Sequence, residues 1–241
     1  MQPSDIITSE RNNDIFNAQV QNVRGLNAAM KQLNRTVNDS LRKGNDLSLN
    51  TYTKVLVLLF CAWSESTFSK LVHTPNGFST EEKNQIRNEY RSSLEDGWHK
   101  CIELGLRKVS SNPERSNYLP NIRRRLSRIL DEYMVAPRIV RNKIAHGQWV
   151  NALNRENTKI NNQVTFSIQN LDAVVITKWF TVYRYLSDMV EILIESPDKA
   201  FHRDYWIIIG ELEDYLEKTK NWNVDTKRKL LNKKPTKEQK N

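Results

Sequence analysis

The chain is poor in the residues that make tight turns. Glycine and proline number only 7 each in 241 residues, against average usage of roughly 7% and 5%. Sandwiches and barrels need both residues at their many turns, so the scarcity argues against them, and against collagen-like chains. No GxGxxG and no GxxxxGK[ST] occurs, which removes the glycine-rich dinucleotide fold and the Walker-A ATPase. There are two cysteines, Cys61 and Cys101, both in apolar helical patterns, with no CxxC and no histidine at metal-ligand spacing. A disulfide scaffold and a zinc site are thereby excluded, leaving two reduced core thiols. The N-terminus is polar, without the apolar segment of a signal peptide. The longest apolar stretch, Val55 to Trp63, is about half a membrane span. The expectation is a cytoplasmic protein with no metal, no cofactor and no membrane contact.

What the chain does have is bulk and positive charge. Hydrophobic residues make up 38%, with six Trp, eight Tyr and seven Phe to fill a core, so full disorder is disfavoured. The net charge of +9 is unevenly spread. Residues 218–241 carry a net +7 and residues 107–143 another +7, while 144–217 carry −5 and 1–106 are balanced. The terminal run reads as a solvated tail with weak attraction for nucleic acid. The central cluster, Arg123, Arg124, Arg125, Arg128, Arg138, Arg141 and Lys143, is local and rich in Arg, whose planar fork donates two hydrogen bonds to a phosphate at once.

Apolar periodicity predicts helices over 12–43, 50–72, about 80–104, 121–134, 137–150, 171–195 and 198–218. Gly44-Asn45 and Thr74-Pro75-Asn76-Gly77 mark stops, Ser79 or Thr80 a cap, and Pro137 a helix start. Residues 109–120 and 151–162 read as loops. The alternation over 163–168 predicts a short strand or hairpin edge. The expected fold is a single all-α bundle of six to seven helices spanning 1–221, followed by a disordered basic tail, 222–241.

One segment carries chemistry: Arg141-Asn142-Lys143-Ile144-Ala145-His146-Gly147-Gln148-Trp149. No other histidine of the four has an Arg four to six positions before it. Here the chain resembles the HEPN superfamily, whose ribonuclease members carry an Arg, four to six residues, then a His, often with a polar residue directly after the Arg. Arg141, Asn142 and His146 match those positions. The likeness in fold covers 12–220; at the level of residues it is specific over 138–149. It implies a metal-independent endoribonuclease, of the phage-defence or toxin–antitoxin kind, that works as a homodimer with both motifs in one cleft and answers to a neutralising or activating protein partner. In that role His146 is the general acid/base, Arg141 the phosphate clamp and Asn142 the positioning donor. Lys143, Arg123, Arg124 and Arg128 would contact RNA phosphates and Trp149 would stack on a base. Glu65, a lone carboxylate in an apolar helix, would support the cleft from an earlier helix.

Helical geometry adds a complication. At 100° per residue Asn142, His146 and Trp149 fall within an arc of about 60°, but Arg141 lies about 140° from His146. A two-fold dimer would supply the missing group from the second copy. Two other readings stand beside the enzyme. One is a HEPN-like module that binds RNA or a protein through its Arg face without cutting. The other is structural: Gly147 ends the helix, and His146 is a residue of the last turn, where the helix dipole favours a cation.

Overall fold

The computed structural model describes residues 3–110 and 117–233, the side chains of 3–11 and 134–136 excepted. Among these residues the protein is all-α, with nine helices against the six or seven expected: α1 (Pro3–Lys43), α2 (Asp46–Val72), α3 (Thr80–Tyr90), α4 (Leu94–Arg107), α5 (Tyr118–Ala145), α6 (Asn162–Gln169), α7 (Ala173–Glu195), α8 (Ala200–Thr219) and α9 (Val224–Asn232). They group into two compact units where the sequence suggests one bundle. One comprises 1–25, 63–135 and 181–216; the other comprises 26–62, 136–180 and 217–241.

The first unit is organised by a buried hydrogen-bonded chain. Trp98 Nε1 donates to Tyr183 Oη at 2.7 Å, and that hydroxyl donates to the Ser64 carbonyl at 2.9 Å. The Tyr183 ring also meets Trp63 and Trp98 edge-on, with centroids 5.2 Å away in each case. The core of this unit also holds Phe68, Leu71, Ile86, Ile102, Leu126, Leu130, Leu193 and Phe201, all buried. The helix expected over 80–104 is in fact two. Ser79 opens α3 through a capping box with Glu82, and Ser93, in an extended conformation, accepts from the Asp96 amide to open α4. A new cap within a continuous apolar stripe turns the chain without interrupting burial. Gly97 permits this fold-back, because a Cβ there would stand 2.9 Å from Phe68 and 3.1 Å from Tyr90.

The second unit holds Met30, Val37, Leu41, Leu56, Phe60, Val140, Ile144, Ile168 and Ile176 in its core. α2 is long and apolar enough to cross a membrane by length and composition alone, but 56% of its most apolar window is buried inside the fold. Four expectations need correction. Pro137 opens no new helix; it lies inside α5, a single 28-residue element. Proline removes one helical N–H, yet the buried positions Ile122, Leu126, Leu130, Pro137, Val140 and Ile144 run on at helical spacing across the gap. Packing thus holds the helix where one bond is lost. That helix ends at Ala145 rather than at 150. Residues 163–168 form α6, not a strand: Asn161 accepts from the Val164 amide, and Thr165 and Ile168 are buried one turn apart. The β pairing among the described residues is an isolated bridge, Leu153 to Ile160. Finally, the tail expected to be disordered from 222 forms α9 over Val224–Asn232. Asn223 and Thr226 make a capping box there, and the Val224 amide donates to Asp172 at 2.9 Å. The rest of that tail, 234–241, and the centre of the 109–120 loop lie outside the described residues.

The Tyr183 hydroxyl satisfies a donor and an acceptor that water does not reach. Tyr183→Phe should therefore cost about 2 kcal/mol of stability, from two polar groups left buried without a partner. Urea denaturation checks this, as a lower midpoint at unchanged slope.

Candidate functional site at the end of α5

The motif occupies the last turn of α5 and the turn that follows it. Gly147 has φ +79°, a left-handed conformation that costs a glycine little. Its amide donates to the Ile144 carbonyl at 3.1 Å, and the Gln148 amide donates to Lys143 at 2.9 Å. This pair of bonds is the Schellman closure of a helix. It puts Gly147 just past the end, as the sequence suggests, and His146 at the C-cap.

Beyond the cap the chain is tied back at one residue, Leu153. Lys143 Nζ donates to the Leu153 carbonyl at 2.6 Å, and the Leu153 amide donates to Gln148 Oε1 at 2.8 Å. Farther out, Asn154 Oδ1 accepts from the amides of Thr158 and Lys159. At the base, the Ala152 amide donates to the buried hydroxyl of Thr165 on α6 at 2.8 Å. The loop after the motif is therefore a braced hairpin. Its bracing residues, Gln148, Asn154 and Thr165, were not singled out from sequence. The asparagine-rich composition of 151–162 was the available signal, since Asn side chains close such turns on their own backbone.

The predicted residues take the following positions. Asn142 and His146 are both exposed, one turn apart on one face of α5, and the His146 ring makes no hydrogen bond among the described residues. Arg141 is half-buried, on the side nearer the buried stripe of Val140 and Ile144. Within one chain, then, Arg141 and His146 do not share a face. Lys143 uses a donor on the Leu153 carbonyl, so its first role is to hold the hairpin rather than a phosphate. Trp149 is half-buried, and Lys54 Nζ stands 5.8 Å from its ring centroid. Lys54 itself is buried, bonded to Asn50 Oδ1 at 2.6 Å, and burial pushes its ammonium below the ordinary lysine range. A ring already facing a cation is a poorer free platform for a base.

The remaining predicted residues belong to the first unit. Arg123 lies 3.7 Å from Glu103, which also pairs with Lys100 and Arg107. Partial burial would push the Glu103 carboxyl up, but the Lys100 hydrogen bond and the surrounding cations hold it below the usual range. Arg125 pairs with Glu213. Arg124 and Arg128, four residues apart on one face of α5, are exposed and make no ion pair among the described residues. Glu65 lines a cavity in this unit beside Phe68 and Ser69.

Comparison of the chain with family models, with curated proteins and with solved structures gives no match. The chemistry of the motif is therefore argued from these residues and from their resemblance to the HEPN pattern.

Two glycines should respond oppositely to alanine. Gly147→Ala should cost about 1 kcal/mol, because a Cβ in the left-handed region is strained. Gly25→Ala should stabilise by up to about 1 kcal/mol, since Gly25 lies within α1 with nothing near its would-be Cβ. Thermal denaturation of the two variants reads both signs.

Proposed function

We propose that the protein is a metal-independent endoribonuclease of the HEPN type, with Arg141, Asn142 and His146 as its reacting residues. The observation that supports this reading best is His146: an exposed imidazole with no competing hydrogen bond, on a backbone fixed by the Schellman closure, with Asn142 one turn before it on the same face. RNA carries its own nucleophile, the 2′-hydroxyl. His146 takes that proton as the oxygen attacks the adjacent phosphorus, and returns a proton to the departing 5′-oxygen. The P–O bond to the 2′-oxygen forms as the bond to the 5′-oxygen breaks, leaving a 2′,3′-cyclic phosphate and a 5′-hydroxyl. Arg141 stabilises the charge that grows on the phosphoryl oxygens, and Asn142 positions the phosphate.

Because Arg141 and His146 lie on different faces of one α5, the site is completed by a second copy, so the working form is a homodimer. Arg124 and Arg128 are the exposed cations offered to RNA. Such an activity fits a cytoplasmic defence or toxin-like protein held in check or triggered by a protein partner. The second reading, RNA binding without cleavage, draws on the same two unpaired arginines, which need no catalytic group to attract a phosphate backbone.

Mixed RNA in EDTA separates the two readings. Wild type should cut it, and His146→Ala should lower the rate by about 10²–10⁴-fold at nearly unchanged RNA affinity. Arg141→Ala should lower rate and affinity together, and Asn142→Ala should cost less. Cleavage by His146→Ala at the wild-type rate would falsify the role given to His146. RNA binding without cleavage by any variant would put the binding module first.

A further inference from the structure

A cavity of about 210 Å³ opens in the first unit, between the second half of α2 and α3. It is not part of the motif and plays no role in the proposed cleavage. The turn at 74–79 sends α3 back along α2, so the two helices face each other in opposite directions. That gives the cavity two unlike ends. At one, the rings of Phe68 and Tyr90 stack with centroids 5.5 Å apart and planes within 22°, and Glu65 stands one turn before Phe68 on α2. At the other are His73 and Lys83, with Arg87 one turn along α3 from Lys83. From Lys83 to Tyr90 the rise along α3 is about 10 Å.

Among the described residues the cationic end has no counter-charge. Lys83 and Arg87 make no ion pair among the described residues. The acid nearest in sequence, Glu82, is taken by Lys108 at 3.0 Å. Lys83 Nζ donates to Asn12 Oδ1 at 2.6 Å, and Asn12 Nδ2 donates to the His73 carbonyl at 2.9 Å. These bonds fix Lys83 in place without neutralising it. Burial first, and then the charges of Lys83 and Arg87, push the His73 imidazole below its ordinary value of 6.5; burial and Lys108 push Lys83 down likewise. His73 Nδ1 donates to the Ser69 carbonyl at 2.8 Å, so Nε2 donates to an anion only when the ring takes up a proton. A fixed group of like charges beside an apolar floor of Val72 and Ile86 is a site prepared for an anion with an apolar body.

We propose that this cavity binds a small aromatic carboxylate, its ring against Phe68 and Tyr90 and its carboxylate between Lys83, Arg87 and His73. The orientation follows from placement: Lys83 and Arg87 stand toward one end of the cavity and the Phe68 and Tyr90 rings at the other. The size follows from the volume, which falls below the roughly 300–1,000 Å³ of drug-sized sites and suits a single ring with a short acid arm.

Phenylacetate is the probe, with acetate and phenethylamine as controls. Acetate lacks the ring, and phenethylamine carries a cation where phenylacetate carries an anion. Titrated into the full chain by isothermal calorimetry, phenylacetate should bind with a dissociation constant below about 1 mM, and each control at least tenfold more weakly. Arg87→Glu and Tyr90→Ala, both exposed positions, should each weaken phenylacetate at least tenfold with unchanged circular dichroism. Phenylacetate should also raise the His73 pKa, followed by NMR, because a bound carboxylate offsets the charges of Lys83 and Arg87. Equal binding of acetate, binding of phenethylamine as tight as that of phenylacetate, absence of saturation at about 10 mM, or an unaltered affinity in Arg87→Glu would each overturn the site.

Discussion

A helix that stops must find partners for its last carbonyls, and in this protein the way α5 meets that demand fixes everything beyond it. Gly147 turns left-handed, the amides of Gly147 and Gln148 fold back onto Ile144 and Lys143, and the chain leaves the helix in one defined direction. From that exit Gln148 and Lys143 bond the backbone N–H and C=O of Leu153. The hairpin over 152–161 and the start of α6 follow from there. His146 and Asn142 stay on the outside of this closure, so their side chains are free for other work while the backbone beneath them is held.

Charge is arranged by the same economy of partners. Much of the basic surplus is consumed internally. Glu103 gathers Lys100, Arg107 and Arg123, Glu213 takes Arg125, Glu82 takes Lys108 and Asp46 takes Arg228. Two pairs of cations that make no ion pair among the described residues differ in their surroundings. Arg124 and Arg128 lie on an open helix face, suited to a solvated polyanion. Lys83 and Arg87 flank a half-open cavity, suited to a small anion. A net charge alone does not separate these two situations; the acids that have been spent and the shape of the surroundings do.

The long helices were legible because their apolar residues recur every three or four positions over many turns. A cap at Ser79 or Thr80 was legible, and Gly147 as a helix end. Ser93 was missed because Ile86, Tyr90, Leu94, Trp98 and Cys101 keep helical spacing straight through the break, so periodicity carries no trace of the new start. Pro137 was misread because a proline at the first turn and a proline inside a well-packed helix look alike in sequence; the burial of Val140 and Ile144 decides between them. Val164, Phe166 and Ile168 alternate like a strand, yet Phe166 is 68% exposed and the buried pair is Thr165 and Ile168. Asn161, a side chain that caps a helix, outweighs the alternation. At the site, the motif and the 140° between Arg141 and His146 could be read directly. The tasks of Lys143 and Trp149 could not, because they depend on where the chain returns after residue 147 and on Lys54, nearly a hundred residues earlier.

The central claim is that RNA supplies the attacking oxygen and His146 moves its proton. The most direct measurement maps one cleavage position in a short synthetic RNA and replaces the single 2′-hydroxyl on its 5′ side with hydrogen. Cleavage at that position should disappear, while neighbouring positions are cut as before and the unmodified RNA yields a 2′,3′-cyclic phosphate by mass spectrometry. Continued cleavage at the deoxy position, or a linear 5′-phosphate product from the unmodified RNA, would contradict it.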